Sequence, residues 1–331
     1  MGTLHRQIWV SNGAGTSRRQ RASRVYHWFL PSRLSDINAA LDTDVLADVT
    51  RTACDLTKVA TVGLPDAEGL IRFLLRSEAM GSSRIEGIAI DPTSLLKAEL
   101  PASVPGILRH DNEAANILGN IHAMEQAIHL ATNTSEITIE ALKEIHRALC
   151  TGTDLQEWGR LMRSTQNWVG GNRTNPLTAE YVPPAPEEVE ALFDDLCRYA
   201  NRTDVSPVVQ AALCHAQFET VHPFVDGNDR VGRALIHTVL LRRHAVTTIV
   251  PPISLALAAQ LEYHYASLNV YQHALDPQTE HEAINDWMSS FSGAITDACT
   301  DVEIIFRNLQ RMRTDWKERD SATHAPTLHS N

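Results

Sequence analysis

The 331-residue chain reads as an all-α protein, a helical bundle that carries one short β-hairpin. Three observations predict this. Apolar residues recur at helical spacing along most of the chain. Prolines and capping residues stand where those runs begin. The β-favouring residues gather in one brief stretch around a Gly-Gly pair, too short for a sheet core.

In chain order, Leu34 to Ala60 and Ala67 to Ile85 are the first two helical runs. Asn112 to Leu130 and Ile139 to Cys150 follow, the latter with Thr138 as its N-cap. Pro186-Glu-Glu-Val opens another helix, with proline in the first turn and acids at the positive end of the dipole. Pro207 to Val221 is a long apolar helix that delivers His222, and a further helix starts near Arg230 and runs to Leu240. Ile253 to His273 and Glu282 to Trp316 complete the set, and the polar tail after Lys317 is expected to fray. The exception is Arg163 to Pro184, where Gly170-Gly171 between short β-favouring runs predicts the hairpin.

These elements divide the chain into a polar leader (1–26), an N-terminal helical region (27–110), a core (111–250), a C-terminal helical region (251–318) and a polar tail (319–331). The leader, with its basic cluster Arg18, Arg19, Arg21 and Arg24, is expected to be a disordered arm. A net charge of −11 argues against broad nucleic-acid binding. No apolar run approaches the roughly 20 residues of a membrane span, and the N-terminus shows no secretory h-region. Cys54, Cys150, Cys197, Cys214 and Cys299 are scattered and odd in number, as reduced core thiols of a cytoplasmic protein would be.

The chemistry concentrates in His222-Pro-Phe-Val-Asp-Gly-Asn-Asp-Arg-Val-Gly-Arg233. Gly227 and Asn228 tolerate unusual backbone angles, so the chain can turn tightly there. A glycine-containing turn that feeds a helix N-terminus makes an anion site from backbone N–H groups and the helix dipole. Arg230 and Arg233, three residues apart on one helix face, can grip phosphate oxygens. Asp226 can hold a divalent cation, and His222 can take a proton near neutral pH. Phe224 is expected to anchor the turn in the core, and His215 to be a packed core histidine.

The segment resembles the signature of the Fic (Fido) family, His-x-Phe-x-Asp/Glu-Gly-Asn-Gly-Arg-x-x-Arg. It matches at His222, Phe224, Asp226, Gly227, Asn228, Arg230 and Arg233, and departs at Asp229, where the family has glycine. Gly159-Arg-Leu-Met-Arg163 with Gln166-Asn-Trp-Val-Gly-Gly171 is similar to the family's flap. Ala212 to Val221 is similar to the helix before the signature, and residues from about 27 to 310 resemble the larger helical members. Ser82-Ser-Arg-Ile-Glu86-Gly87 fits the family's inhibitory pattern, Ser/Thr-x-x-x-Glu-Gly/Asn.

The resemblance implies a Fic helical-bundle core with a β-hairpin flap, and a protein adenylyltransferase that transfers AMP from ATP to a Ser, Thr or Tyr hydroxyl. His222 would be the general base and Asp226 the Mg²⁺ ligand. Gly227, Asn228, Asp229, Arg230 and Arg233 would line the nucleotide site. Glu86, with Ser82, would engage Arg233 and block productive ATP. Gln166, Asn167, Trp168, Val169 and Gly170 would receive the target segment by strand addition. The partner is a target protein with an acceptor hydroxyl, the chain itself included; nucleic acid and membrane are not expected, and a homo-oligomer stays open. Two alternatives stand beside this. Glu86 could position water for de-AMPylation, or Asp229 could leave a degenerate fold that binds nucleotide or protein without turnover. A carboxylate pointing inward, about 5 Å from a phosphate at an effective dielectric near 20, costs ~3 kcal/mol. Pointing outward it is a mildly stabilising acid at a helix N-terminus, and in a second metal site it would attract phosphate instead.

Overall fold

The computed structural model describes residues 2–10, 23–37, 39–61, 68–89, 91–99, 112–172, 174–247 and 251–323. Its helices are α1 (Thr43–Ala60), α2 (Glu68–Ile85), α3 (Pro92–Glu99), α4 (Asn112–Asn133), α5 (Ile139–Cys150) and α6 (Pro186–Ala200). They continue as α7 (Pro207–Val221), α8 (Asn228–Arg242), α9 (Ile253–Ala259), α10 (Leu261–Tyr271) and α11 (Pro277–Thr323). A two-stranded antiparallel sheet, β1 (Thr3–Trp9) and β2 (Arg24–Leu30), pairs Thr3 with Leu30 and Trp9 with Arg24.

The bundle is organised around α7, buried without interruption from Val208 to Val221. A helix covered on all sides needs no polar stripe, so its sequence is not amphipathic, and its polar residues Gln210, His215, Gln217 and Glu219 are buried with the rest. Helices α6, α8 and α11 pack directly on it, and α4 covers α8. Phe193, Phe218, Phe224, Trp287 and Phe291 fill the space between them with essentially no exposed surface. The Trp287 indole N–H finds its partner in the Ala212 carbonyl at 2.8 Å. The amphipathic α5 begins as expected: the Thr138 hydroxyl accepts from the Ala141 N–H at 3.1 Å.

Helix α2 is bolted to α9 by two features. A Cβ on Gly81 would lie 2.5 Å from the Leu255 backbone nitrogen, so only glycine allows the two backbones this close. One turn earlier the fully buried Glu78 accepts from the Ser254 N–H at 2.7 Å and from its hydroxyl, and lies 2.8 Å from His237 Nε2. These contacts place the C-terminal turn of α2 over α8.

Several expectations change. Residues 1–26, expected as a disordered arm, contribute β1 and the start of β2. Arg24 stands in β2, while Arg18, Arg19 and Arg21 lie outside the described residues. Strand β1 is mostly exposed, so its sequence carries no strong inside–outside alternation. The sheet is held from outside instead: the Phe29 N–H donates to the Val182 carbonyl at 3.0 Å, and Trp9 meets Trp168 edge-on at 5.4 Å. The run from Leu34 to Ala60 opens with a separate 3₁₀ turn, Leu34–Asp36, before α1. The run from Ile253 to His273 breaks at Gln260, whose non-helical φ of −121° and ψ of 35° separate α9 from α10. Helix α11 continues past Lys317 to Thr323, and residues 324–331 and Ala67 lie outside the described residues. The expected hairpin contracts to a single bridge between Val169 and Tyr181. Cys54 is exposed rather than a core thiol; the other four cysteines are buried and none is paired. No described helix is long and apolar enough to cross a membrane.

Substituting Gly81→Val overfills the α2–α9 contact and should lower unfolding free energy by about 1–3 kcal/mol. Urea denaturation followed by circular dichroism checks this, and an unchanged midpoint contradicts the close approach.

Candidate active site

Helix α7 stops because His222 adopts a left-handed conformation, φ 50° and ψ 59°, with its N–H still reaching the Phe218 carbonyl at 2.9 Å. Gly227, at φ 74°, starts α8 from the same unusual region. Two left-handed residues therefore bracket a turn that reverses the chain between two buried helices. The Asn228 side chain closes it: Oδ1 accepts from the Phe224 N–H at 2.8 Å and Nδ2 donates to the Phe224 carbonyl at 3.0 Å. Phe224 is fully buried and stacks on His146 with ring centroids 3.9 Å apart. The anchor expected of Phe224 is thus present, and the Asn228 amide braces the loop instead of standing free.

Arg163, almost fully buried, holds the other side of the turn. Its Nε donates to the His222 carbonyl at 2.8 Å, and Nη2 donates to the Pro184 carbonyl at 2.6 Å and the Val221 carbonyl at 3.2 Å. A guanidinium at the C-terminus of α7 satisfies carbonyls that have no helical partner. Burial lowers the Arg163 pKa to about 10. The flap also touches the turn, since Asn167 Nδ2 donates to the Phe224 carbonyl at 3.3 Å. Gln166 Nε2 ties to the Pro183 carbonyl and Trp168 Nε1 to the Asn172 carbonyl, at 2.9 and 2.8 Å. The Val169 N–H donates to the Tyr181 carbonyl at 2.9 Å, with Gly170 turning at φ 70°.

His222 Nδ1 lies 3.4 Å from the Glu219 carbonyl. A proton on Nδ1 is used there, leaving Nε2 as the basic nitrogen. Burial lowers the His222 pKa, and the Asp229 carboxylate offsets part of that effect. The imidazole is therefore neutral near pH 7, the form a general base needs.

Helix α8 presents Arg230 and Arg233 on one face, and Glu86, the residue after the end of α2, lies between them. Glu86 Oε1 accepts from Arg233 Nη2 at 2.7 Å, and Oε2 is 2.9 Å from Arg230 Nε. Arg233 also donates from Nε to the Ser82 hydroxyl at 2.7 Å and from Nη2 to the Ser82 carbonyl at 2.9 Å. The predicted Ser82–Glu86–Arg233 constellation is thus assembled, and Arg230 joins it. Burial raises the Glu86 pKa while the two guanidiniums pull it back.

Asp229 points inward. It lines a cavity of about 290 Å³ with Val169, Gly170, Glu219, His222 and Arg233. Burial disfavours its charge, but Arg233 and His222 hold its pKa below the usual carboxylate value. It shares a hydrogen bond with Glu219, whose pKa burial pushes well up. Glu219 escaped the sequence reasoning. Its signal was the single carboxylate in α7; in the fold it faces Gly232, where a Cβ would come within 2.3 Å of Oε1. Asp226 is exposed on the turn, and its Oδ1 accepts the Gly227 N–H at 2.6 Å. An exposed carboxylate suits a hard cation that keeps most of its waters.

A family model described as Fic/DOC family matches residues 136–240, and one described as Fic/DOC family N-terminal matches residues 51–129. The protein adenylyltransferase fic-1 of Caenorhabditis elegans is 33% identical over 168 residues, 50% of this chain and 30% of that protein. The protein adenylyltransferase Fic of Drosophila ananassae is 32% identical over 257 residues, 74% of this chain and 45% of that protein. Among solved structures, a Fic family protein from Desulfovibrio desulfuricans shares the fold at TM-score 0.60 and 20% identity, covering 88% of this chain and 79% of that one. Fic-1 from Caenorhabditis elegans does so at TM-score 0.57 and 19% identity, covering 82% and 74%. The chain spans only 30% to 51% of the length of the first curated relatives.

In a metal-free sample, the His222 ring should titrate below its unperturbed value of about 6.5. Asp229→Asn should lower it further, because the carboxylate that favours the imidazolium is gone. Ring-carbon NMR measures both, and an upward move in the variant contradicts the assigned contact.

Proposed function

Because the chain belongs to the Fic/DOC family, we propose that it is a self-inhibited protein adenylyltransferase that uses ATP and Mg²⁺. The observation that carries this is the Glu86 bridge: the two guanidiniums placed to bind the outer phosphates are both held by one carboxylate. An arginine engaged in this way cannot also clamp a phosphate. The described conformation is the inhibited one, and activity requires Glu86 to leave.

With Glu86 displaced, Arg230 and Arg233 bind the β- and γ-phosphates, and backbone N–H groups at the start of α8 face the anion. His222 Nε2 takes the proton of the target hydroxyl as its oxygen bonds to the α-phosphorus. The bond to the bridging oxygen breaks, pyrophosphate leaves, and AMP remains esterified to the target. Asp226 is the carboxylate that fits Mg²⁺, which when bound supplies charge neutralisation between the phosphates. Val169 and Gly170, at the cavity edge beside His222, position the target segment. That segment belongs to a second protein or to another copy of this chain.

Asp229 favours a second reading, nucleotide binding without turnover. Its carboxylate faces the cavity beside His222, and repulsion of ~3 kcal/mol corresponds to roughly a hundredfold loss of ATP affinity.

Incubation with labelled ATP tests the proposal. Glu86→Gly should raise self-labelling above the intact chain, and adding His222→Ala should reduce it by about 10² to 10⁴-fold. Adding Asp229→Gly to Glu86→Gly should tighten ATP about a hundredfold in a direct binding assay. Binding without label in every variant supports the second reading; neither binding nor label removes both.

A further inference from the structure

We propose that Glu219, His222 and Asp229 form a site for a zinc-class divalent metal ion, distinct from the Mg²⁺ expected at Asp226. Each residue offers one ligand atom, and those atoms all lie within 4.8 Å of one another. All three line the same cavity. A zinc ion about 2.1 Å from each ligand would bring them to roughly 3.5 Å of one another. Small torsions of the two carboxylate side chains cover that difference.

A second observation points to a missing ligand. Glu219 is only 5% exposed, and its Oε1 meets no hydrogen-bond partner. His215, 1% exposed, lies one helical turn before Glu219, with Nδ1 3.6 Å from that oxygen and neither ring nitrogen in a well-formed hydrogen bond. Buried polar atoms without partners are rare, because each costs the full desolvation of the group. Here three converge on one wall of the cavity. His215 stands ready as an outer partner or a fourth ligand.

A shared proton joins Glu219 to Asp229, and a divalent ion bound there would take that proton's place. One imidazole among oxygen ligands selects zinc-class ions over magnesium, which prefers oxygen and water alone. Open positions of the bound ion face the cavity, so a phosphate oxygen is the ligand class it would take. The ion would turn the repulsion at Asp229 into attraction, and it would withdraw His222 from proton transfer. It is therefore an alternative state of the site rather than a step of AMP transfer, and its test does not depend on that reading.

Calorimetric titration of the EDTA-treated full chain with Zn²⁺, without ATP, tests this. One equivalent should bind, with Mg²⁺ in excess failing to displace it. Asp229→Gly and His222→Ala should each weaken binding at least tenfold, while Asp226→Asn leaves it unchanged. Absence of stoichiometric binding, or binding that survives Asp229→Gly, overturns the site. Loss with Asp226→Asn moves the ion elsewhere and overturns it equally. Should a variant fail to fold, the visible d–d bands of Co²⁺ bound to the native chain decide, and a spectrum identical to aqueous Co²⁺ rejects the proposal.

Discussion

One carboxylate shared by two guanidiniums governs the molecule. Glu86 reaches Arg230 and Arg233 only because α2 lies against α9 through Gly81 and Glu78, and because α8 starts immediately after the turn. Charge pairs in such partly desolvated settings contribute little net stability, since desolvation offsets most of the attraction. Under the proposed function their value is conditional, because a bound triphosphate would compete with Glu86 for the same guanidiniums. Gly87 ends α2 one residue later at φ 77°, and the Ile88 N–H returns to the Ser83 carbonyl at 3.0 Å. Glu86 therefore stands in a terminal turn, the part of a helix that opens at least cost.

The opposing side of the site is rigid. Helix α7 runs through the middle of the core, so His222 is presented from a fixed platform. Its left-handed backbone is held by Arg163 from outside and by the Asn228–Phe224 hydrogen bonds from within. Arg163 also couples the flap to the turn through the Pro184 carbonyl, and the Tyr181 hydroxyl does the same through the Thr220 carbonyl at 2.8 Å. His222 thus stands on a fixed platform, while Glu86 opposite it stands in a terminal turn.

Asp229 is where the chain departs from its family, and its surroundings explain how the departure is tolerated. Arg233 lies close enough to depress its pKa, and Glu219 shares a hydrogen bond with it. Glycine at position 232 leaves room for the Glu219 carboxylate. The substitution thus belongs to an acidic corner with its own space and its own counter-charge, not to an isolated defect in a phosphate cradle.

Most helices were legible in the sequence because amphipathic spacing, prolines and caps are local signals; α5 begins at its expected N-cap. The turn at 222–233 and the Ser82–Glu86 pattern were legible because phosphate and carboxylate chemistry demands particular residues at particular spacing. Strand β1 was not, because its stability comes from β2 and from a flap more than 150 residues away in sequence. Glu219 was missed, and Arg163 was read only as part of the flap, for the same reason: an acid in a buried helix and a basic residue in a loop acquire meaning only from what they touch. The sequence by itself determined the helical class and the positions of the 222–233 turn and of the Ser82–Glu86 pattern. Tertiary packing alone decided that Glu86 holds both arginines and that Asp229 faces inward, because side-chain direction and charge pairing depend on how separate helices approach.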